Sequence, residues 1–218
     1  MKYILDFIEN NLFAIITALV AIIALLQTHK QIKISNKHFL FDKRLSKYLL
    51  AIGLLELYKN NENLLDYTDH SDDEAIIVDY QFVNLTNNNY LKDITNIINE
   101  LKNGEFKNKF LVKIDELNQL SNEVRFLFKG NSGLLLSRFI MKYQSTLMEL
   151  YKYQVLLNLM ENSDIPRENK PTYSELQKEY GELKHRHRLY DAIGDLKRSY
   201  QEIVSKKVIN KIEKSIEL

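Results

Sequence analysis

An uncharged apolar run, Leu12 to Leu26 (LFAIITALVAIIALL), constrains this chain more than any other feature, because it must be kept from water whatever the rest does. It sits within a longer uncharged window from Asn10 to His29. At a helical rise of about 1.5 Å per residue that window spans roughly 30 Å, the thickness of a bilayer's hydrocarbon core. Its Leu, Ile, Val and Phe residues each favour insertion by about 0.3–0.6 kcal/mol near the centre, so insertion is favourable by a few kcal/mol. The competing structure is a helix buried in a soluble core, since a helix apolar on all sides lies in protein or in lipid. Asp6 and Glu9 before the run, and no small-x-small site after it, argue against a cleaved leader. The run is therefore expected to remain as an anchor over residues 1–29.

The flanks set an orientation. Lys30, Lys33, Lys37, Lys43, Arg44 and Lys47 follow the run, opposed by Asp42, whereas Lys2 and the α-amine precede it. Positive charge stays in the cytoplasm. The expected topology puts the N-terminus outside and residues 30–218 inside, at the cell membrane. The same six cations are candidates for contact with anionic lipid headgroups, each worth about 1 kcal/mol near a charged surface. Absence of cysteine agrees with a reducing compartment.

Beyond the anchor the pattern is helical throughout. Two prolines, Pro166 and Pro171, and six glycines leave long stretches uninterrupted. Phe41, Leu45, Tyr48, Ile52 and Leu55 mark an amphipathic seam. Asn60 to Ser71 reads as a loop with one helical turn at Leu64 and Leu65. Ser71 and Glu74 fit a capping box. The next segment, IIVDYQFV, alternates like a strand at Ile76, Val78, Tyr80 and Phe82, but no other convincing strand exists to pair with it, which favours helix. Leu91, Ile94, Ile98 and Leu101 mark another helix, expected to stop before Gly104 as its cap. Glu105–Lys129 carries Phe106, Phe110, Ile114, Leu117, Val124 and Phe128 along one side. Gly130 to Gly133 is a turn, and Leu134–Glu161 is the most apolar helix, the expected centre of the core. Residues 162–171 form a polar hinge. Thr172 and Glu175 form a second capping box, opening a long helix over 172–218 that carries Leu189, Ile193, Leu196, Tyr200 and Ile203. Its apolar phase shifts at Ile209, Ile212 and Ile216. The expected fold class is all-α: a transmembrane helix, a cytoplasmic bundle over 30–161, the hinge, and a long C-terminal helix.

Signals for chemistry are few. His185, Arg186, His187 and Arg188 are candidates for anion contact, or for a metal through His187 and Asp191, but structural sites need more ligands than two. A charged, solvated face is the expected reading. The acidic tract from Asp66 to Glu74 lacks the glycine and spaced glutamate of a calcium loop. Lys129-Gly130-Asn131-Ser132-Gly133 lacks the lysine and hydroxyl ending of a phosphate loop. No arginine is followed by a histidine at the spacing of the helical RNases, and no His-Glu-x-x-His occurs. Net charge of +1 argues against a nucleic-acid partner. No cofactor or enzymatic activity is expected. Ala14, Ala18 and Ala21, or Thr17, Ala21 and Ala24, align small residues on one face of the apolar run, a feature of helices that associate.

Residues 27–52, with Leu40-Phe41-Asp42-Lys43-Arg44 opening the helix beyond the Gln/Lys-rich exit, resemble the junction of bacterial single-pass membrane proteins. Some of those resemble abortive-infection proteins that protect bacterial populations from phage. From its anchor and apolar seams the chain is expected to be a membrane-tethered helical interaction protein that binds a cytoplasmic or membrane protein partner or forms a homo-oligomer. The resemblance implies the alternative, a defence effector that oligomerises and perturbs the membrane.

Overall fold

The computed structural model describes residues 2–65, 78–101, 104–161 and 172–216, with side chains described from Asn11 onward. Among these residues all regular structure is helical. The acidic tract, the Ser71/Glu74 cap and the hinge lie outside the described residues. Helix α1 spans Lys2–Asn61 and is followed by a 3-10 turn, Glu62–Leu65. Then come α2 (Val78–Thr86), a 3-10 helix (Lys92–Asn99), α3 (Gly104–Leu127) and α4 (Asn131–Glu161). The chain finishes with α5 (Tyr173–Tyr180), α6 (Glu182–Ser205) and α7 (Val208–Ile216). Packing divides the chain between Lys43 and Arg44 into two units.

The first unit is the N-terminal part of α1. From Leu12 to Leu40 its apolar side chains are exposed all round, Phe13 to 86% and Leu25 to 70%. By length and composition this helix is apolar enough to cross a membrane.

The second unit is a bundle centred on α4, which packs against α2, α3, α5, α6 and α7. The expected core helix is therefore in its expected place. Leu136, Phe139, Ile140, Tyr143, Leu147 and Leu150 are buried along it. Tyr151 and Leu157 are half-buried, while Tyr153 and Leu156 turn inward. The α1 seam is rotated from the expected one: Ala51, Leu54, Leu55 and Tyr58 are buried, whereas Leu45, Tyr48 and Ile52 are half-covered. An aromatic cluster joins three helices, with Phe139 edge-on to Tyr58 at 6.1 Å and near Tyr200 at 6.4 Å. Such pairs add about 0.5–1.5 kcal/mol beyond the area they bury.

The ambiguous segment is helical over Val78–Thr86, where Val78, Gln81, Phe82 and Leu85 face inward. An inward set at spacings of three and four requires a helix, and a period of two does not produce it. Asn88 then turns the chain by accepting the Tyr90 and Leu91 amides on its side-chain oxygen. The next helix differs from expectation in type. It is a tight 3-10 helix with Ile94, Ile97 and Ile98 buried. Gly104 also differs, because it opens α3.

The single long C-terminal helix is corrected to three. Gly181 lies in the left-handed region at φ 62°, ending α5 by donating its amide to Gln177 and Lys178 carbonyls. Lys207, at φ 49°, separates α6 from α7. The phase shift at Ile209 is the sequence trace of that second break. The Thr172/Glu175 capping box forms as expected, with both reciprocal bonds present. At the α3–α4 corner, Gly130 adopts φ 81° and Gly133 comes so close to the Phe128 carbonyl that a Cβ there would overlap it. Ser121 and Ser137 meet across the same helix pair, their hydroxyls 2.9 Å apart.

Candidate membrane-anchoring site

In the apolar run, the backbone of an α-helix satisfies its own amides and carbonyls, the requirement for any segment in hydrocarbon. The two hydroxyls in the run's vicinity are also satisfied within the helix: Thr17 donates to the Phe13 carbonyl and Thr28 to the Ala24 carbonyl, each at 2.8 Å. No side chain from Leu12 to Leu40 is covered by another part of the protein to the point of burial. Ala14, Ala18 and Ala21 are exposed and lie along one stripe of the helix.

The six cations separate into two groups. Lys30, Lys33, Lys37 and Lys43 are exposed on α1. Arg44 and Lys47 are instead engaged with the bundle. Arg44 donates to the Ser215 carbonyl at 3.1 Å, and Lys47 pairs with Glu123 at 2.5 Å. Both are half-buried, so their charge is directed to α7 and α3. One turn on, Tyr48 donates to Glu213 at 2.6 Å, and burial followed by that carboxylate pushes its phenol well above the ordinary tyrosine range. These three contacts fasten the part of α1 from Arg44 onward to α3 and α7. Sequence spacing showed the cations but gave no sign of their partners, which lie 76 to 171 residues away.

The His185–Arg188 tetrad does not form one solvated face. His187 and Arg188 are exposed, His185 is half-buried with its Nδ1 enclosed and without a hydrogen-bond partner, and Arg186 is buried. Arg186 Nε donates to Glu182 at 2.8 Å. Glu182 is fully buried and also accepts from the Tyr153 hydroxyl and from Gln177 at 3.3 Å. Burial works against the charged guanidinium, but the Glu182 and Tyr153 bonds outweigh it and hold Arg186 above its ordinary value. Burial and Glu182 push the Tyr153 phenol up. This cluster joins α4, α5 and α6, a structural role that sequence missed because Arg186 was read as part of a charged, solvated face and its partners lie on other helices or a turn away.

Open clefts among the described residues of the bundle include two between packed helices. One, about 440 Å³, lies between α1 and α6–α7 and is lined by Ile52, Leu55, Glu56, Lys59, Val204 and Lys207 among others. The other, about 530 Å³, lies between α4 and α6 and is lined by Arg138, Lys142, Asp195, Arg198 and Glu202. Its charges are mutually paired: Lys142 and Arg198 both reach Asp195, and Arg138 reaches Glu202. The Lys142 bond, opposed by burial and helped by Arg198, holds the Asp195 carboxyl below its ordinary value. Among the described residues no cluster of three His, Asp or Glu side chains is arranged to hold a metal ion.

The chain matches no known protein-family profile, no curated protein and no solved structure.

Proposed function

We propose that this protein is a membrane-tethered interaction module: α1 spans the cell membrane once, N-terminus outside, and carries the bundle from Arg44 onward in the cytoplasm, where it binds a protein partner. The observation that carries the reading is the apolar surface of α1 from Leu12 to Leu26, exposed on every side of the helix. Leaving those side chains in water costs about 25 cal/mol per Å² of apolar surface, and hydrocarbon removes that cost. The four exposed lysines that follow support the orientation, since cations of this kind are retained on the cytoplasmic side. The open cleft between α1 and α6–α7 supports binding as the mode of action, because its lining mixes apolar and charged side chains.

The chain's lack of cysteine makes the topology directly testable. A Lys206→Cys variant of the full chain, expressed in bacterial cells, is treated with a membrane-impermeant maleimide. Labelling is expected only after the cells are permeabilised. Labelling of intact cells would place the bundle outside and refute the proposed topology.

A further inference from the structure

We infer that the end of the bundle at which α1 joins it docks on anionic phospholipid headgroups, through Arg125, Phe126, Lys129, Lys207, Lys211 and Lys214. The inference rests on the membrane-tether reading and adds a second lipid contact, separate from the exposed lysines of α1.

Contacts inside the bundle gather these residues at one end. Ser121 meets Ser137, and Gln144 donates to the Ile114 carbonyl at 3.2 Å, so α3 and α4 run antiparallel and the end of α3 lies beside the start of α4. Arg138 reaches Glu202 and Lys142 reaches Asp195, so α6 also runs against α4 and finishes at that same end, where α7 follows. Helix α1 joins there too: Lys47 pairs with Glu123 near the end of α3, while Arg44 and Tyr48 bond to α7.

The charge at this end is one-sided. Arg125, Lys129, Lys207, Lys211 and Lys214 are exposed, and among the described residues none of them has an ion-pair partner. The carboxylates nearby are already engaged, Glu123 by Lys47, Glu202 by Arg138 and Lys206, and Glu213 by the Tyr48 hydroxyl. On α7 the burial of Val208, Ile212 and Ile216 turns Lys211 and Lys214 outward. At the opposite end of the bundle the exposed charge is mixed, with Glu161 and Glu179 among Lys107 and Lys178.

Phe126 decides what kind of anion this surface suits. Its ring is 84% exposed, next to Arg125 and three residues before Lys129. A bare ring among unpaired cations matches a headgroup layer, where the ring sinks toward the acyl chains while the cations meet phosphates. Each such cation strengthens attachment about fivefold near an anionic surface. The tether keeps the surface close: about 21 Å of helix separates Lys30 from Arg44, and a tilt of α1 within the range of spanning helices, up to about 40°, lowers the edge of this end toward the headgroups.

The test uses the full chain with a single cysteine carrying a bimane fluorophore, reconstituted in phosphatidylcholine vesicles with and without phosphatidylglycerol. A quencher sits on the headgroups as a spin-labelled lipid. Asn131→Cys and Asn210→Cys report the end at α1, and Asn108→Cys the opposite end. Quenching at the first two is expected to exceed that at the third several-fold, only with phosphatidylglycerol, and to fall in high salt. Combining Lys207→Gln, Lys211→Gln and Lys214→Gln should reduce it to the level of Asn108→Cys. Quenching that is absent, equal at both ends, independent of phosphatidylglycerol, or unchanged in the triple variant overturns the docking. So does a bimane response at this end to added duplex RNA but not to the anionic lipid, which would assign the surface to nucleic acid. Alkaline carbonate extraction of the same vesicles separates the two readings. A chain retained in the bilayer without the quenching pattern sinks the docking alone, whereas a chain released to the soluble fraction sinks the tether.

Discussion

Replacing Arg186 by leucine removes the charged donor facing a fully buried carboxylate, and it should be among the most damaging single changes in the bundle. Glu182 is 0% exposed and Arg186 6%, so neither can turn to solvent without opening the α4–α5–α6 contact. In Arg186→Leu, Glu182 keeps the Tyr153 and Gln177 donors but loses its countercharge. Breaking a buried pair from one side costs about 3–5 kcal/mol. For a domain of this size that lowers Tm by roughly 10 °C. Replacing both partners, Glu182→Leu with Arg186→Leu, removes the uncompensated charge. The double variant should recover most of the loss, leaving about 1–3 kcal/mol for the stranded Tyr153 hydroxyl. Adding Tyr153→Phe should recover that remainder. The assay is thermal unfolding of the full chain in mild detergent, followed by near-ultraviolet circular dichroism. If Arg186→Leu lies within about 1 kcal/mol of the parent, or the double variant is no better than the single, the buried-pair account is wrong.

Other variants probe separate parts of the structure. Phe139→Ala removes the centre of the aromatic cluster and should cost about 3–5 kcal/mol in the same melt, while Phe126→Ala, at an exposed position, should stay within about 0.5 kcal/mol. Gly133→Ala should destabilise strongly because its Cβ would overlap the Phe128 carbonyl, and Gly181→Ala should cost about 1–2 kcal/mol for the left-handed backbone alone. Circular dichroism at equal protein concentration orders the two. Alkali should also unfold the bundle. Burial, then Glu116 and Glu123, push Tyr90 up to about 12, and Tyr143, Tyr153 and Tyr48 also lie above the ordinary value of 10.0. Above that ordinary value the unfolded chain loses protons that the folded chain keeps, so stability falls as pH rises from about 10 toward 12. Tyrosinate absorption should therefore lag until the dichroism is lost, and Tyr90→Phe should make the decline shallower. Finally, Leu19→Arg places a charge in the middle of the apolar run at about 2.5–3.5 kcal/mol, comparable with the whole insertion free energy. It should shift much of the chain out of the membrane pellet, as read by fractionation and immunoblot.

Periodicity carried the helices and the central position of α4 because burying one face of a helix leaves a repeating trace in sequence. The Thr172/Glu175 cap was legible for the same reason: its two bonds are local, within three residues. The break at Lys207 left only a phase shift, since a lysine at positive φ carries no chemical signature of its own. The 3-10 geometry of Lys92–Asn99 was illegible because Ile94, Ile97 and Ile98 suit a three-residue period and a 3.6-residue period equally over so short a span. At the candidate site, the run and its lysines were plain from composition. The commitment of Arg44 and Lys47 to the Ser215 carbonyl and Glu123 was not, because contacts between helices distant in sequence leave no local pattern.

Alkaline carbonate extraction of membranes from cells expressing the intact chain addresses the membrane tether most directly. A spanning α1 is held by hydrocarbon and not by charge, so the chain should remain in the pellet at high pH and leave it only with detergent. Release into the supernatant by carbonate alone would contradict the tether, because it would show that the Leu12–Leu26 surface is covered by something other than the bilayer interior.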